Sequence, residues 1–217
     1  MVSKVKAFGS AGKKTAGVST INGGANVPFY KELGNQGISA TDIPVMAFSV
    51  GEEELAGMDT KPLVGQLAAW NYFESIDTPA NEAFIKDWHA FTKNPKRTTN
   101  DPMEAHYIGF NMWVQAVTKV GSTDHDKVID AMIGIRQPNL TGGVAEMLPD
   151  HHLTKPVYIG EIQDDGQFSV VWKTPALVPG QAWSPWVPET KDLIGDWSKP
   201  IVCGNYNTVT KTCLSKK

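Results

Sequence analysis

The chain has 217 residues, of which 41% are hydrophobic and 20% charged, and its formal net charge is −3. This balance is ordinary for one moderate globular domain or two small lobes. No lysine and arginine cluster forms a basic stripe, and no apolar window reaches the roughly 18 residues of a membrane span. The composition therefore disfavours nucleic acid, anionic membrane surfaces and the bilayer interior as sites of action.

The first third of the chain has the alternating strand and helix pattern of a doubly wound α/β unit. After a helix end at 1–8, strands and helices are expected to alternate in the order 17–21, 26–34, 43–48, 52–58 and 63–73. Short apolar runs bounded by turn residues, such as 43–48, are typical of parallel strands that are buried on both faces. Residues 1–73 therefore predict a parallel sheet, and ligands of such sheets bind beyond the carboxyl ends of the strands.

Residues 74–136 are expected to form helices only. Thr78 followed by Pro79 is a typical helix start, and Asp101 with Glu104 three residues later predicts a second helix that runs to about residue 120. A third helix is expected at 124–133. Because three successive helices do not continue a parallel sheet, this segment is assigned to a second lobe.

Residues 137–217 are expected to return to the first sheet and to be rich in β-structure. Two apolar runs, 157–162 and 167–172, flank an Asp-Gly turn at Asp165 and Gly166, which is a strong signal for a hairpin. After residue 174 the many proline and tryptophan residues show no period, which predicts an extended tail on the surface.

The two cysteines lie in this tail. Cys203 and Cys213 bracket a polar, turn-rich segment. A disulfide between them would close a loop of about ten residues and would stabilise the fold by roughly 2–3 kcal/mol. Such a bond persists in an oxidising compartment, whereas two unpaired thiols would suit the cytoplasm.

The residue patterns of common enzyme and metal sites are missing from the sequence. Gly9 and Gly12 flank too few residues for a phosphate-binding loop, and no Gly-x-Ser-x-Gly elbow occurs. His151 and His152 are adjacent, so an extended chain would point them to opposite faces. The acidic run 52–54 suits the positive end of a helix dipole. The sequence therefore predicts no catalytic residue, no metal and no cofactor.

Neutral polar and aromatic side chains follow each predicted strand of the first third. They are Ser19, Thr20 and Asn22 after the first strand, Ser49 after the second, and Trp70, Asn71 and Tyr72 at the end of the third. A small neutral polar ligand needs this mixture of placed hydrogen-bonding groups and apolar walls. The alternative for each residue is a role in a turn, because serine and asparagine dominate turns.

Several segments resemble the urea-type substrate-binding proteins of ABC transporters. The stretch from Val18 through Asn22-Gly23-Gly24 resembles their second-lobe strand and helix. Further similar segments are 43–55, 69–79, 100–105, 139–156, 166–175 and 203–208. The resemblance extends over residues 18 to 213 and includes, among its relatives, short-chain amide binders, an amide-sensing regulator and the branched-chain amino acid binders.

The resemblance implies an incomplete type I periplasmic-binding-protein fold, with most of one doubly wound lobe and a helical part of the other. It implies ligand contacts by Thr20, Asn22 and Ser49, with Ser19 beside them and Tyr72 near the crossover between the lobes. Glu104 and Tyr107 begin a first-lobe helix near the cleft. Because the family's chains are longer, apolar surface is expected to be exposed where further strands would pack.

The implied function is extracytoplasmic capture of urea or a short-chain amide and delivery to the membrane permease of an ABC transporter. A signal peptide is expected in the full-length protein. Two alternatives of the same fold stay open, a cytoplasmic amide-sensing regulator and a branched-chain amino acid binder. An amidase is disfavoured, because no nucleophile with a base in reach is recognisable.

Overall fold

The computed structural model describes residues 1–194 and 206–213. It divides into two compact units, Met1–Pro179 and Gly180–Lys217, which are described separately. The helices are α1 Val2–Gly9, α2 Asn26–Asn35, α3 Glu52–Leu55, α4 Pro79–Thr92, α5 Asp101–Val120 and α6 His125–Met132. The strands are β1 Gly17–Ser19, β2 Val45–Ala47, β3 Leu67–Trp70, β4 Arg136–Pro138, β5 Val144–Glu146, β6 Tyr158–Ile162, β7 Phe168–Lys173, β8 Leu193–Ile194, β9 Tyr206–Asn207 and β10 Thr212–Cys213.

A mixed five-stranded sheet forms the centre of the first unit. Its strand order is β1-β2-β3-β6-β7, in which β1, β2 and β3 are parallel and β6 and β7 are antiparallel to their neighbours. The predicted parallel order of the first three strands is confirmed. The predicted hairpin around Gly166, whose φ of +82° favours glycine, supplies β6 and β7.

Helices α4, α5 and α6 start where capping side chains were expected or one residue away. Thr78 accepts a hydrogen bond from the backbone of Asn81 and begins α4, as predicted. For α5 the prediction was wrong by one residue, because Asn100 accepts from the amide of Met103 and Asp101 turns to other partners. Asp124 caps α6.

All three predicted parallel strands are shorter than expected, and two further strand features were not predicted. The third strand is shorter than 63–73, because Lys61–Leu63 forms a 3₁₀ turn around Pro62 before the chain extends. The antiparallel pair of β4 and β5 was not predicted, since both strands are only three residues long. In the Gly180–Lys217 unit, the expected extended tail contains the short antiparallel sheet β8-β9-β10.

The main core lies where the sheet meets the helices that connect its strands. Phe73 and Phe168 stack with their ring centroids 4.5 Å apart, and Gly160 of β6 lies directly beneath them. A smaller cluster joins Ile108 and Met112 of α5 to the β4–β5 pair. The assignment of residues 74–136 to a lobe of their own stays a prediction. Among the helices of the described residues, none combines the length and apolar character needed to cross a bilayer.

The aromatic stack over Gly160 gives a test of the core. A Cβ at this position would lie 2.8 Å from two ring atoms of Phe73, so Gly160→Ala is expected to lower the free energy of unfolding by about 1–3 kcal/mol through overpacking. The control is Gly109→Ala in α5, where a Cβ would meet no atom within 4 Å. Urea denaturation measures both variants, and equal stabilities would contradict the packing described.

Candidate functional site

The carboxyl ends of β1, β2 and β3 form one edge of the sheet, which we call the rim (residues 19–22, 48–51 and 70–72). The ladder continues one residue beyond the end of β2, because the amide of Phe48 donates to the carbonyl of Ser19 at 3.2 Å. Beyond this point the three rim segments leave the sheet, and side chains form hydrogen bonds with peptide groups that have no partner strand. The rim is where ligands of parallel α/β sheets bind.

The rim brings together three of the residues predicted to contact a ligand. Thr20 and Asn22 are exposed, and Ser49 is partly exposed. The Ser49 hydroxyl donates to the carbonyl of Ile21 at 2.6 Å, and Ile21 lies between Thr20 and Asn22 in the chain. The three neutral side chains therefore belong to two loops that are tied to each other.

A buried asparagine that sequence reasoning missed holds the same two loops. The side-chain nitrogen of Asn26 donates to the carbonyl of Ile21 and to the carbonyl of Ser49, both at 3.0 Å. Asn26 is fully buried at the first position of α2, and its Oδ1 has no hydrogen-bond partner. An asparagine at a helix start normally suggests a cap, but no side-chain cap bond forms at this helix end.

Ser19 is less accessible than predicted. Only 6% of its surface is exposed, and its hydroxyl lies 3.4 Å from the amide of Ile21, which donates to it across the turn. Ser19 is therefore placed like a turn residue, which was the alternative role considered for each of these side chains. A ligand contact by Ser19 stays a prediction.

Tyr72 lies in the interior rather than on an accessible surface. It is fully buried, and its hydroxyl donates to Oδ1 of Asn81 at 2.6 Å and shares a hydrogen bond of 2.6 Å with Thr99. Burial raises the pKa of Tyr72, so the ring stays neutral. These contacts fasten the end of β3 to the starts of α4 and α5, a position that does not suit the direct ligand contact expected.

Glu104 is also buried, and its partner is a lysine from the segment before β6. Its Oε2 forms an ion pair with Nζ of Lys155, whose side chain is 10% exposed. Burial raises the pKa of Glu104, whereas Lys155 and the amide of Leu140 oppose this shift. The pair joins α5 to the chain that returns to the sheet, and a ligand contact by Glu104 stays a prediction.

Tyr107 lies on an apolar stripe of α5, on the side opposite the buried face of this helix. The stripe consists of Met103, Tyr107, Phe110, Val114 and Val117, which recur at the spacing of one helix face. The Tyr107 ring contacts Phe84 with a centroid distance of 5.0 Å. The opposite face of α5 carries Ile108 and Met112 and is buried. Tyr107 is thus not one of the rim residues.

Acidic side chains near the rim are bonded to backbone amides. Glu54 accepts from Gly51 at 2.9 Å, and Asp101 accepts from Asn71 at 2.8 Å. Burial raises the pKa of Asp101 to about 6, although the charge of Lys155 opposes the shift. Glu52 accepts from Glu74 at 2.8 Å, and burial raises the pKa of Glu52 to about 8. Glu52 is therefore mostly uncharged at neutral pH.

The described residues contain no cluster of three or more histidine, cysteine or acidic side chains that could hold a metal ion. Cys213 lies in β10, and Cys203 lies outside the described residues. The predicted disulfide between them therefore stays a prediction.

Comparison with known proteins matches a family model described as "Periplasmic binding protein domain" to residues 1–189. A solved solute-binding protein of an ABC transporter from Rhodopseudomonas palustris HaA2, in complex with p-hydroxybenzoic acid, is 22% identical with a TM-score of 0.68. The match covers 81% of this chain and 49% of that one. An amino acid ABC transporter substrate-binding protein from Pseudomonas fluorescens Pf-5 is 20% identical with a TM-score of 0.66, covering 84% and 48%.

The chain spans about half the length of these solved structures. A curated relative, limonene hydroxylase from Geobacillus stearothermophilus, is 29% identical over 126 residues, which are 57% of this chain and 22% of that protein. The likeness to the solved structures, at their low identities, concerns the fold, and the short match to limonene hydroxylase leaves most of that protein unmatched.

The raised pKa of Glu52 predicts how stability depends on pH. Between pH 4.5, the ordinary pKa of the group, and about 8, the folded protein keeps a proton that the unfolded chain has lost. The free energy of unfolding therefore falls as the pH rises, by up to about 1.4 kcal/mol per pH unit for this group. Glu52→Gln mimics the protonated acid and is expected to reduce this slope and to stabilise the protein at pH 8.

Urea denaturation at several pH values checks the Glu52 prediction. The control is Glu53→Gln, which removes an exposed carboxylate from the same helix and is expected to leave the slope unchanged. A Glu52→Gln slope equal to that of the wild type would show that Glu52 is ionised in the folded protein.

The ion pair of Glu104 and Lys155 predicts a different pattern. Lys155→Met leaves a buried carboxylate without its counter-charge and is expected to lower the free energy of unfolding by about 3–5 kcal/mol. The double variant Glu104→Gln/Lys155→Met removes the unpaired charge and should recover most of this loss. If the single and double variants unfold at the same denaturant concentration, Glu104 is not an uncompensated charge in the interior.

Proposed function

The chain belongs to the periplasmic binding protein domain family and has its type I fold, and on this premise we propose that it is part of an extracytoplasmic solute-binding component of an ABC transporter. The component captures urea or a short-chain amide at the rim and delivers it to a membrane permease. Capture works by closure of a second lobe over the rim, which a ligand favours only by contacting both lobes at once. The protein performs no catalysis.

The main support for a urea or amide ligand is the hydrogen bond that the Ser49 hydroxyl donates within the protein. Serine has one hydroxyl proton, and Ser49 uses it to donate to the carbonyl of Ile21 at 2.6 Å. Toward a ligand Ser49 can therefore only accept a hydrogen bond. The amino groups of urea and acetamide offer N–H donors, whereas a carboxylate offers none. The exposed Thr20 and Asn22 add neutral donors and acceptors beside Ser49.

An amino acid ligand is less well supported at this rim. An ammonium group needs an anionic or strongly accepting partner, since burying an unpaired charge is costly. Two acids that contact rim residues, Glu54 and Asp101, accept hydrogen bonds from the amides of Gly51 and Asn71. Glu52 is buried and mostly protonated at neutral pH, because burial raises its pKa to about 8. The neutral ligand is therefore favoured over the amino acid.

An enzymatic function would require an activated nucleophile at the rim. A serine nucleophile needs a base that accepts its proton. The Ser49 proton is directed at a backbone carbonyl, and the Thr20 side chain makes no hydrogen bond to a histidine or carboxylate within the described residues. This arrangement supports binding without turnover, and the name of the limonene hydroxylase relative concerns that protein only.

Calorimetric titration tests the ligand class. The longest translation product that contains residues 1–217 is titrated with urea, acetamide, leucine and 4-hydroxybenzoate. Saturable binding is expected for urea or acetamide and not for the other two. Thr20→Val and Asn22→Ala are each expected to weaken binding by about three- to tenfold, since each removes a neutral hydrogen bond of about 0.5–1.5 kcal/mol.

Two results would contradict the proposal. If leucine or 4-hydroxybenzoate binds more tightly than both urea and acetamide, the ligand belongs to another chemical class. Release of ammonia from urea or acetamide during the titration would show turnover. Thr118→Val, an exposed substitution on α5 away from the rim, serves as the matched control and should leave the affinity unchanged.

A further inference from the structure

We propose that Asn26 is the positioning residue of the ligand rim, and that its side-chain amide sets both the distance between the two rim loops and the acceptor character of Ser49. This inference rests on the proposed function, because it concerns the same rim. Asn26 itself does not touch a ligand, since it is fully buried behind the two loops.

The geometry of the amide group supports this role. One NH₂ group carries two protons, and Asn26 directs them at two carbonyls, those of Ile21 and Ser49, at 3.0 Å each. These carbonyls come from the loops after β1 and β2, which are 28 residues apart in the chain. A side chain that donates to both at once fixes their separation. Alanine, serine or aspartate at this position would lose at least one of the two hydrogen bonds.

The orientation of the amide is determined by its surroundings. If Asn26 were rotated by half a turn about its last bond, Oδ1 would face the carbonyl oxygens of Ile21 and Ser49 and would be repelled. In the observed orientation Oδ1 is buried without a partner, which is a cost that the two donated hydrogen bonds must offset. An interior polar group that is kept despite such a cost points to a positioning role.

Asn26 also affects what Ser49 offers to a ligand. The carbonyl of Ile21 accepts two hydrogen bonds, one from Asn26 and one from the Ser49 hydroxyl at 2.6 Å. The bond from Ser49, like the bond from Asn26 to the carbonyl of Ser49, depends on the two loops staying together. If the loops separate, the Ser49 hydroxyl can turn and donate to a ligand. Loss of Asn26 should therefore weaken binding of amides and should also reduce the preference for amides over carboxylates.

A second buried asparagine provides a matched control. Asn81 is 1% exposed, and its side-chain nitrogen also donates to two carbonyls, those of Glu74 at 2.9 Å and Ile76 at 2.8 Å. It lies at the start of α4, and its Oδ1 also accepts from the buried hydroxyl of Tyr72 at 2.6 Å. None of its hydrogen bonds reaches the two loops that carry Thr20 and Ser49. Asn26→Ala and Asn81→Ala thus remove the same kind of bridge at different places.

The experiment compares these variants with the wild type by guanidinium chloride denaturation, since urea is itself a proposed ligand, and by titration with urea, acetamide and 4-hydroxybenzoate. Both substitutions are expected to lower stability. Asn26→Ala should weaken amide binding by about tenfold and narrow the ratio of amide to carboxylate affinity, whereas Asn81→Ala should change the affinity by less than about twofold. Equal losses of affinity in the two variants would overturn the positioning role and leave Asn26 with a role in stability alone.

A second measurement separates this inference from the proposed function. Backbone amide NMR shifts of Thr20, Asn22 and Ser49 are recorded without ligand, and they should move in Asn26→Ala and stay in place in Asn81→Ala. If the wild type binds neither urea nor acetamide, the proposed ligand class is wrong. The chemical shifts still show whether Asn26 fixes the positions of the two rim loops. Unmoved shifts would refute the role. If an alanine variant does not fold, Asn26→Ser and Asn81→Ser, which keep one donor, replace the pair.

Discussion

Peptide groups at the ends of three short parallel strands impose the main constraint on this molecule. Strands β1, β2 and β3 have three or four residues each, so the sheet leaves many amides and carbonyls near its edge without a ladder partner. Side chains satisfy them, as Asn26 does for two carbonyls and Glu54 and Asp101 do for the amides of Gly51 and Asn71. The polar groups available to a ligand are those that are not engaged in these hydrogen bonds.

The sequence allowed the parallel direction of the first three strands and the closeness of Thr20, Asn22 and Ser49 to be predicted, because parallel strands in a doubly wound unit end at one edge. It did not reveal Asn26, whose partners follow from how two distant loops meet. The burial of Tyr72 and Glu104 was hidden for the same reason. Glu104 finds its partner in Lys155, which is 51 residues away, and no local pattern indicates such a pair.

Helix α5 shows why the surroundings of Tyr107 could not be predicted from the sequence. Its apolar residues occupy two opposite faces, one buried on β4 and β5 and one formed by the stripe that includes Phe110, which is 56% exposed. Periodicity alone predicts a single buried face and cannot say which of two will be covered. The solved structures that match are about twice as long as the part matched here.

The exposed step from Asn22 to Gly23 has a consequence for the chemical ageing of the protein. Gly23 has a φ of +57° and no side chain to shield its amide, so the nitrogen of Gly23 can attack the neighbouring carboxamide and release ammonia. Hydrolysis of the resulting cyclic imide leaves aspartate or isoaspartate in place of asparagine. A preparation that ages in this way acquires a negative charge beside the exposed neutral side chain of Thr20.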